Sequence, residues 1–209
     1  SIEYLSDLIT KIRLDYRLFL LTVMDKIAPL VLIPLLLTFL SFESIGNLEL
    51  VQIYATVLLA LLQFGFIQFY SYQVSRITHN ERGYIIGSFY LVQGIAFILI
   101  SFAYVIITFV IDLFDIQKYS ILDLYVILIL YPFFSSLYVS TIETIKLEKN
   151  RIDLVVILLV FSRVIVEFLL TYAFLTLEFG WKSRVFAIAL ANFFFLIPIL
   201  NWLSNQHNF

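Results

Sequence analysis

Gly83-Tyr-Ile-Ile-Gly-Ser-Phe-Tyr-Leu-Val-Gln-Gly-Ile-Ala-Phe-Ile-Leu-Ile-Ser-Phe-Ala-Tyr-Val-Ile-Ile-Thr-Phe-Val-Ile111 runs without one charged side chain. A helix needs about 20 predominantly apolar residues to cross the hydrocarbon of a bilayer, and this stretch has more than enough. Three further charge-free runs, Leu50 to Ser75, Leu124 to Ile142 and Val185 to Phe209, reach the same length. Composition agrees: 62% of the 209 residues are hydrophobic and 13% charged, with mean hydropathy +1.02. A soluble domain is about 45–50% apolar and about 25% charged, so these charges are too few to cover a water-facing surface. A soluble globule is excluded, and lipid is the solvent for most of the chain.

The hydrophobic runs between charge clusters predict six transmembrane helices, at 18–41, 48–75, 84–111, 122–145, 152–177 and 184–204, with 205–209 as a tail. Ahead of them, Ile2, Leu5, Leu8, Ile9, Ile12 and Tyr16 recur at helical spacing opposite Glu3, Asp7 and Lys11, which predicts an amphipathic interfacial helix over 1–17. A cleaved signal peptide is not expected, because Glu3 and Asp7 precede any basic residue. The start at Ser1 fits a processed or partial chain. With the N-terminus inside, eight Lys and Arg fall on the cytoplasmic side and three, Lys118, Lys182 and Arg184, outside. The positive-inside rule then places both termini in the cytoplasm.

The net charge of −2 comes from short connecting segments with no basic stripe, so no nucleic-acid partner is expected. Cysteine is absent, His79 and His207 fall in a loop and the tail, and no HExxH, GxSxG or P-loop motif is present. No catalytic residue, metal or cofactor is expected, and the chain is read as a non-enzyme.

Charged residues within the spans carry the interest, since one at the bilayer centre costs about 2.5–3.5 kcal/mol even on the lenient insertion scale. Asp25 and Lys26 lie in the first span, Arg163 and Glu167 in the fifth. Arg163 and Glu167 are four apart, one turn along a single helix face, where they can pair. Either they lock the bundle as an ion pair, or they belong to a polar pathway; a structural pair should survive exchange of its two members. Lys26 can reach the headgroups, with Asp25 beside it. On the second span Gln52, Thr56, Gln63 and Tyr70 fall within about 40° of one another, a stripe that could line a hydrated cavity or join helices. Gly83, Gly87 and Gly94 share a face suited to close helix approach. All four prolines, Pro29, Pro34, Pro132 and Pro198, lie inside spans, and each withholds a backbone donor. Pro29 and Pro34, five apart, are read as a hinge.

Two segments carry a family resemblance. Pro34-Leu-Leu-Leu-Thr-Phe-Leu-Ser-Phe-Glu-Ser-Ile-Gly46, followed through the second span to Gln63-Phe-Gly65-Phe, resembles the start of the polysaccharide (O-antigen type) flippases. Phe179-Gly-Trp-Lys-Ser-Arg184 resembles the Gly-Trp-x-Gly-Arg opening of that family's sixth span, with Ser183 where a Gly is usual. Asn47 likewise stands where an aromatic is common. The family belongs to the multidrug, oligosaccharidyl-lipid and polysaccharide exporter superfamily, whose members have 12 to 14 spans in two lobes around a central cavity.

The resemblance implies an all-α polytopic protein whose six helices form the N-terminal lobe of a MATE-like flippase fold, the C-terminal lobe lying elsewhere or in a partner chain. It implies movement of a lipid-linked sugar diphosphate across the cytoplasmic membrane of a prokaryote by alternating access. Lys26 and Arg163 would then meet the diphosphate, and Gln52, Thr56, Gln63 and Tyr70 the sugars. Asp25 and Glu167 would couple ions or hold the cations of the empty site, with Pro29 and Pro34 as hinge. A multidrug exporter of the same superfamily and a non-transporting membrane scaffold are the alternatives.

Overall fold

The computed structural model describes residues 2–63, 65–113, 121–148 and 152–207, without the side chains of 2–14, 25, 26, 28, 29, 79, 110–113, 121, 122 and 207. Every element among them is helical: α1 (Ile2–Phe39), α2 (Phe42–Leu62), α3 (Phe66–Gln73), α4 (His79–Leu113), α5 (Ile121–Tyr125), a π turn (Val126–Leu130), α6 (Tyr131–Leu147), α7 (Leu154–Thr176) and α8 (Lys182–His207).

Local chemistry sets the starts of these helices. Ser41 caps α2, its hydroxyl accepting from the Ser44 N–H at 3.3 Å, with Glu43 in the first turn where the helix dipole favours an acid. Glu81 reaches back to the N–H and hydroxyl of Thr78 at 2.7 and 2.8 Å, the acidic half of a capping box at the start of α4. Asp153 accepts from the Leu154 N–H at 2.6 Å to open α7.

Among the described residues, five helical segments are long and apolar enough to cross a membrane: Phe42–Leu62, Asn80–Phe109, Asp123–Leu147, Leu154–Thr176 and Lys182–Gln206. The molecule is thus all-helical among its described residues, with the makings of a multi-pass membrane protein. The expected first span, 18–41, falls in α1, whose described apolar stretch is the shorter Leu30–Phe39. The side chains of Asp25, Lys26 and Pro29 lie outside the described residues. No helix break separates 1–17 from 18–41, since α1 is continuous from Ile2.

The expected second span, 48–75, is two helices. Gly65 adopts φ 67°, in the left-handed region, and interrupts the chain between Leu62 and Phe66. The Leu62 carbonyl freed at the end of α2 accepts from the side-chain amide of Gln93, fully buried on α4. A Cβ at Gly65 would meet nothing nearer than Gln68 Oε1 at 4.0 Å, so backbone strain alone opposes a side chain there. Gly65→Ala should therefore destabilise the chain by about 1–2 kcal/mol. Gly65→Asn, which tolerates this region better, should lose less; thermal unfolding in detergent reads both.

The fourth span also departs from a plain helix. At the π turn the Tyr131 N–H bonds to the Val126 carbonyl, five residues back. One residue on, Pro132 has no N–H to offer Leu128, and the Tyr54 hydroxyl of α2 donates to that carbonyl at 3.3 Å.

α8 packs along α7 and α6, α1 lies against α7, and α2 against α6. One core gathers Leu21, Phe66, Tyr70, Ile142, Val160 and Ile199; a second gathers Leu48, Ala55, Ile127, Tyr131, Val185 and Ile188. α4 stands at the edge and exposes Leu91, Ile98, Phe102 and Phe109, a surface suited to lipid. Gly94 has nothing within 4 Å of where a Cβ would sit, so α4 makes no close approach there.

Candidate functional site

Arg163 lies nine residues beyond Leu154, about 14 Å along α7 at 1.5 Å per residue, well inside the apolar length of that helix. Helical spacing puts Glu167 one turn on, and Arg163 Nη1 stands 2.7 Å from Glu167 Oε2. α8 supplies the rest. Arg184, in its first turn, pairs through Nη1 with Glu167 Oε1, and Asn192, two turns later, accepts from Arg163 Nε at 2.9 Å. The Asn192 amide in turn donates to Ser135 Oγ on α6 at 3.4 Å. The Arg163 guanidinium also lies over the Tyr138 ring, 4.4 Å from its centroid, a cation–π contact from α6.

All four polar residues are buried, with Glu167 and Asn192 at 1% exposure, Arg184 at 6% and Arg163 at 7%. Each oxygen of the Glu167 carboxylate faces a different arginine. The trio holds two cations and one anion, so its buried charge is +1. Removing an ion from water costs several kcal/mol after relaxation, and one carboxylate cannot fully offset two guanidinium groups. The trio sits where the two apolar cores meet, because Val160, one turn before Arg163, belongs to one and Val185, next to Arg184, to the other.

Arg184 also lines a cleft of about 370 Å³ between α1, α2 and α8. Leu32 and Leu36 form its α1 wall; Leu48, Glu49 and Gln52 form its α2 wall. Glu49 is exposed and Gln52 half-buried.

Of the residues singled out in the sequence, Arg163 and Glu167 come together, and Gln52 reaches the Arg184 cleft. Thr56 is exposed and its hydroxyl bonds its own helix, at the Gln52 carbonyl, at 2.8 Å. Gln63 ends α2 as its C-cap. Tyr70, beyond the Gly65 interruption, is fully buried in the first core and donates to the Glu148 carboxylate. Helix periodicity thus does not carry the stripe past Leu62. Pro34 is exposed on α1. Lys26, Asp25 and Pro29 lie outside the described side chains.

Arg184, Asn192 and Gln93 were not singled out by sequence reasoning. Arg184 counts there as an outer-loop cation, whereas its side chain is buried in the bundle. The available signal was an amide in the middle of each of two charge-free runs, Gln93 in Gly83–Ile111 and Asn192 in Val185–Phe209, where lipid alone would exclude it.

The chain matches no protein-family model, no curated protein and no solved structure. Among the described residues no cluster of three His, Asp or Glu is placed to hold a metal ion. The chemistry available to the Arg163–Glu167–Arg184 trio is electrostatic: it can hold an anion.

Proposed function

We propose that the chain is one lobe of a membrane flippase that moves lipid-linked oligosaccharide or polysaccharide precursors from the cytoplasmic to the outer leaflet by alternating access. The observation that carries this reading is the buried excess of one positive charge in the Arg163–Glu167–Arg184 trio, beside a cleft that Gln52 also lines. A sugar diphosphate crossing a low-dielectric layer needs cations at depth for its phosphates and neutral polar groups for its sugars. The resemblance at Pro34–Gly46 and Phe179–Arg184 favours the same substrate and a second, C-terminal lobe or partner chain. The membrane is then the cytoplasmic membrane of a prokaryote.

A structural role as a scaffold is favoured by a different observation, that Arg163 is engaged by Glu167, Asn192 and Tyr138 together. Deleting the gene separates the two. A flippase deletion should leave lipid-linked sugar accumulating on the inner leaflet, corrected by the wild-type gene and not by Arg163→Gln. A normal distribution across the leaflets in the deletion strain would refute transport.

This reading places both termini in the cytoplasm. These 209 residues contain no cysteine, so single thiols introduced among them report without background from this segment. Ser44→Cys, in the first turn of α2, should react with an impermeant thiol reagent from outside, and Asn80→Cys, at the start of α4, should not. The opposite pattern would invert the topology.

A further inference from the structure

The cleft between α1, α2 and α8 has an uneven chemistry. Leu32, Leu36 and Leu48 give it apolar walls, while Arg184 brings a guanidinium whose carboxylate partner, Glu167, is shared with Arg163. Arg163 is held on several sides by Glu167, Asn192 and Tyr138 and is absent from the cleft lining, so Arg184 is the cation of the trio that a ligand in the cleft would meet. We propose that this cleft binds a phosphate-bearing amphiphile, with Arg184 holding the phosphate and the leucines of α1 and α2 the hydrocarbon chain.

Two physical arguments support this occupant over others. The trio lacks one negative charge, and a phosphate ester supplies it with oxygens that match the planar guanidinium fork. A free inorganic anion would leave the leucine walls empty, and a neutral lipid would leave the charge uncompensated. Glu49, the acid of the lining, stands exposed on α2 and opposes a phosphate in the cleft, a repulsion that its amide would relieve. The inference concerns binding alone; a scaffold could hold such a lipid as well as a transporter.

The test uses the full chain in a non-ionic detergent, with adducts measured by native mass spectrometry. Dioleoyl phosphatidic acid should bind, whereas dioleoylglycerol, which lacks the phosphate, and glycerol phosphate, which lacks the chains, should bind at least tenfold more weakly. Arg184→Gln should weaken phosphatidic acid at least tenfold, the scale of one lost charged hydrogen bond. Glu167 keeps Arg163 in that variant, so the fold should persist. Leu36→Trp, which fills the cleft and leaves every charge of the chain in place, should weaken it similarly, and Glu49→Gln should tighten it. Arg76→Gln, a change at an exposed cation stacked on Tyr72, should do nothing. Equal binding of dioleoylglycerol or glycerol phosphate, undiminished binding to Arg184→Gln or Leu36→Trp, or weaker binding to Glu49→Gln would each overturn the proposal. Loss of transport in cells with phosphatidic acid binding intact would leave it standing, and the reverse would not.

Discussion

Glu167→Gln should destabilise the chain by about 3–5 kcal/mol, more than any other single change considered in the bundle. The carboxylate is 1% exposed and divides its two oxygens between Arg163 and Arg184. Its amide would leave two buried guanidinium groups close together without an anion, and would turn an NH2 toward one of them. Loss of folded protein in detergent, read by thermal unfolding and by yield from the membrane, measures the effect. Adding Arg184→Gln to Glu167→Gln should recover part of it, because a single buried cation with Asn192 and Tyr138 around it is less costly than two. Failure of the second change to recover anything would mean that Arg184 does not depend on Glu167, contrary to the pairing at Oε1.

Exchanging the first pair, Arg163→Glu with Glu167→Arg, should also fail to give a stable protein. Considered as two residues on one helix, an ion pair survives such an exchange, since both charges remain a turn apart. The third member changes the outcome. An arginine at position 167 would face Arg184, and two like charges 4 Å apart repel by about 4 kcal/mol at an effective dielectric of about 20. Adding Arg184→Glu should restore folding, because the trio then becomes one cation between two carboxylates with the same geometry and opposite sign. Asn192 can accommodate either form by turning its amide, offering Nδ2 where it now offers Oδ1. Thermal unfolding of the double and triple variants decides the matter: a stable double variant would show Arg184 to be a bystander. The inverted triple variant would carry a surplus negative charge, so phosphatidic acid should no longer bind it.

Sequence periodicity showed what belongs to single helices and little of what lies between them. Arg163 and Glu167 pair within α7, so a spacing of four was enough to connect them. Arg184 and Asn192 join them from an antiparallel neighbour, at separations in sequence that no periodicity marks, and Arg184 by position alone passes for a loop cation. The apolar runs carried the helical class and the crossing lengths from Asn80 onward, because burial in lipid and burial in a core both demand such runs. They could not show the interruption at Gly65, where hydrophobicity continues on both sides and only the sign of φ changes. For the same reason Tyr70 joins Gln52, Thr56 and Gln63 on a helical wheel, yet lies in a different helix with Glu148 as its partner.

The π turn at Val126–Leu130 acts as a phase shifter. A π turn accommodates an extra residue, so the residues beyond it are rotated by roughly 100° relative to an uninterrupted α-helix. Ser135 and Tyr138 both lie beyond it, and they are the two α6 groups that touch Asn192 and Arg163. Deleting one residue within 126–130 would let the helix close into regular α turns while swinging both groups off the charged trio. Point substitutions cannot reproduce that rotation. Chain length inside one span is therefore a control on polar contacts two turns away, and a homologue one residue shorter there would need a different set of α6 side chains to face the same arginine.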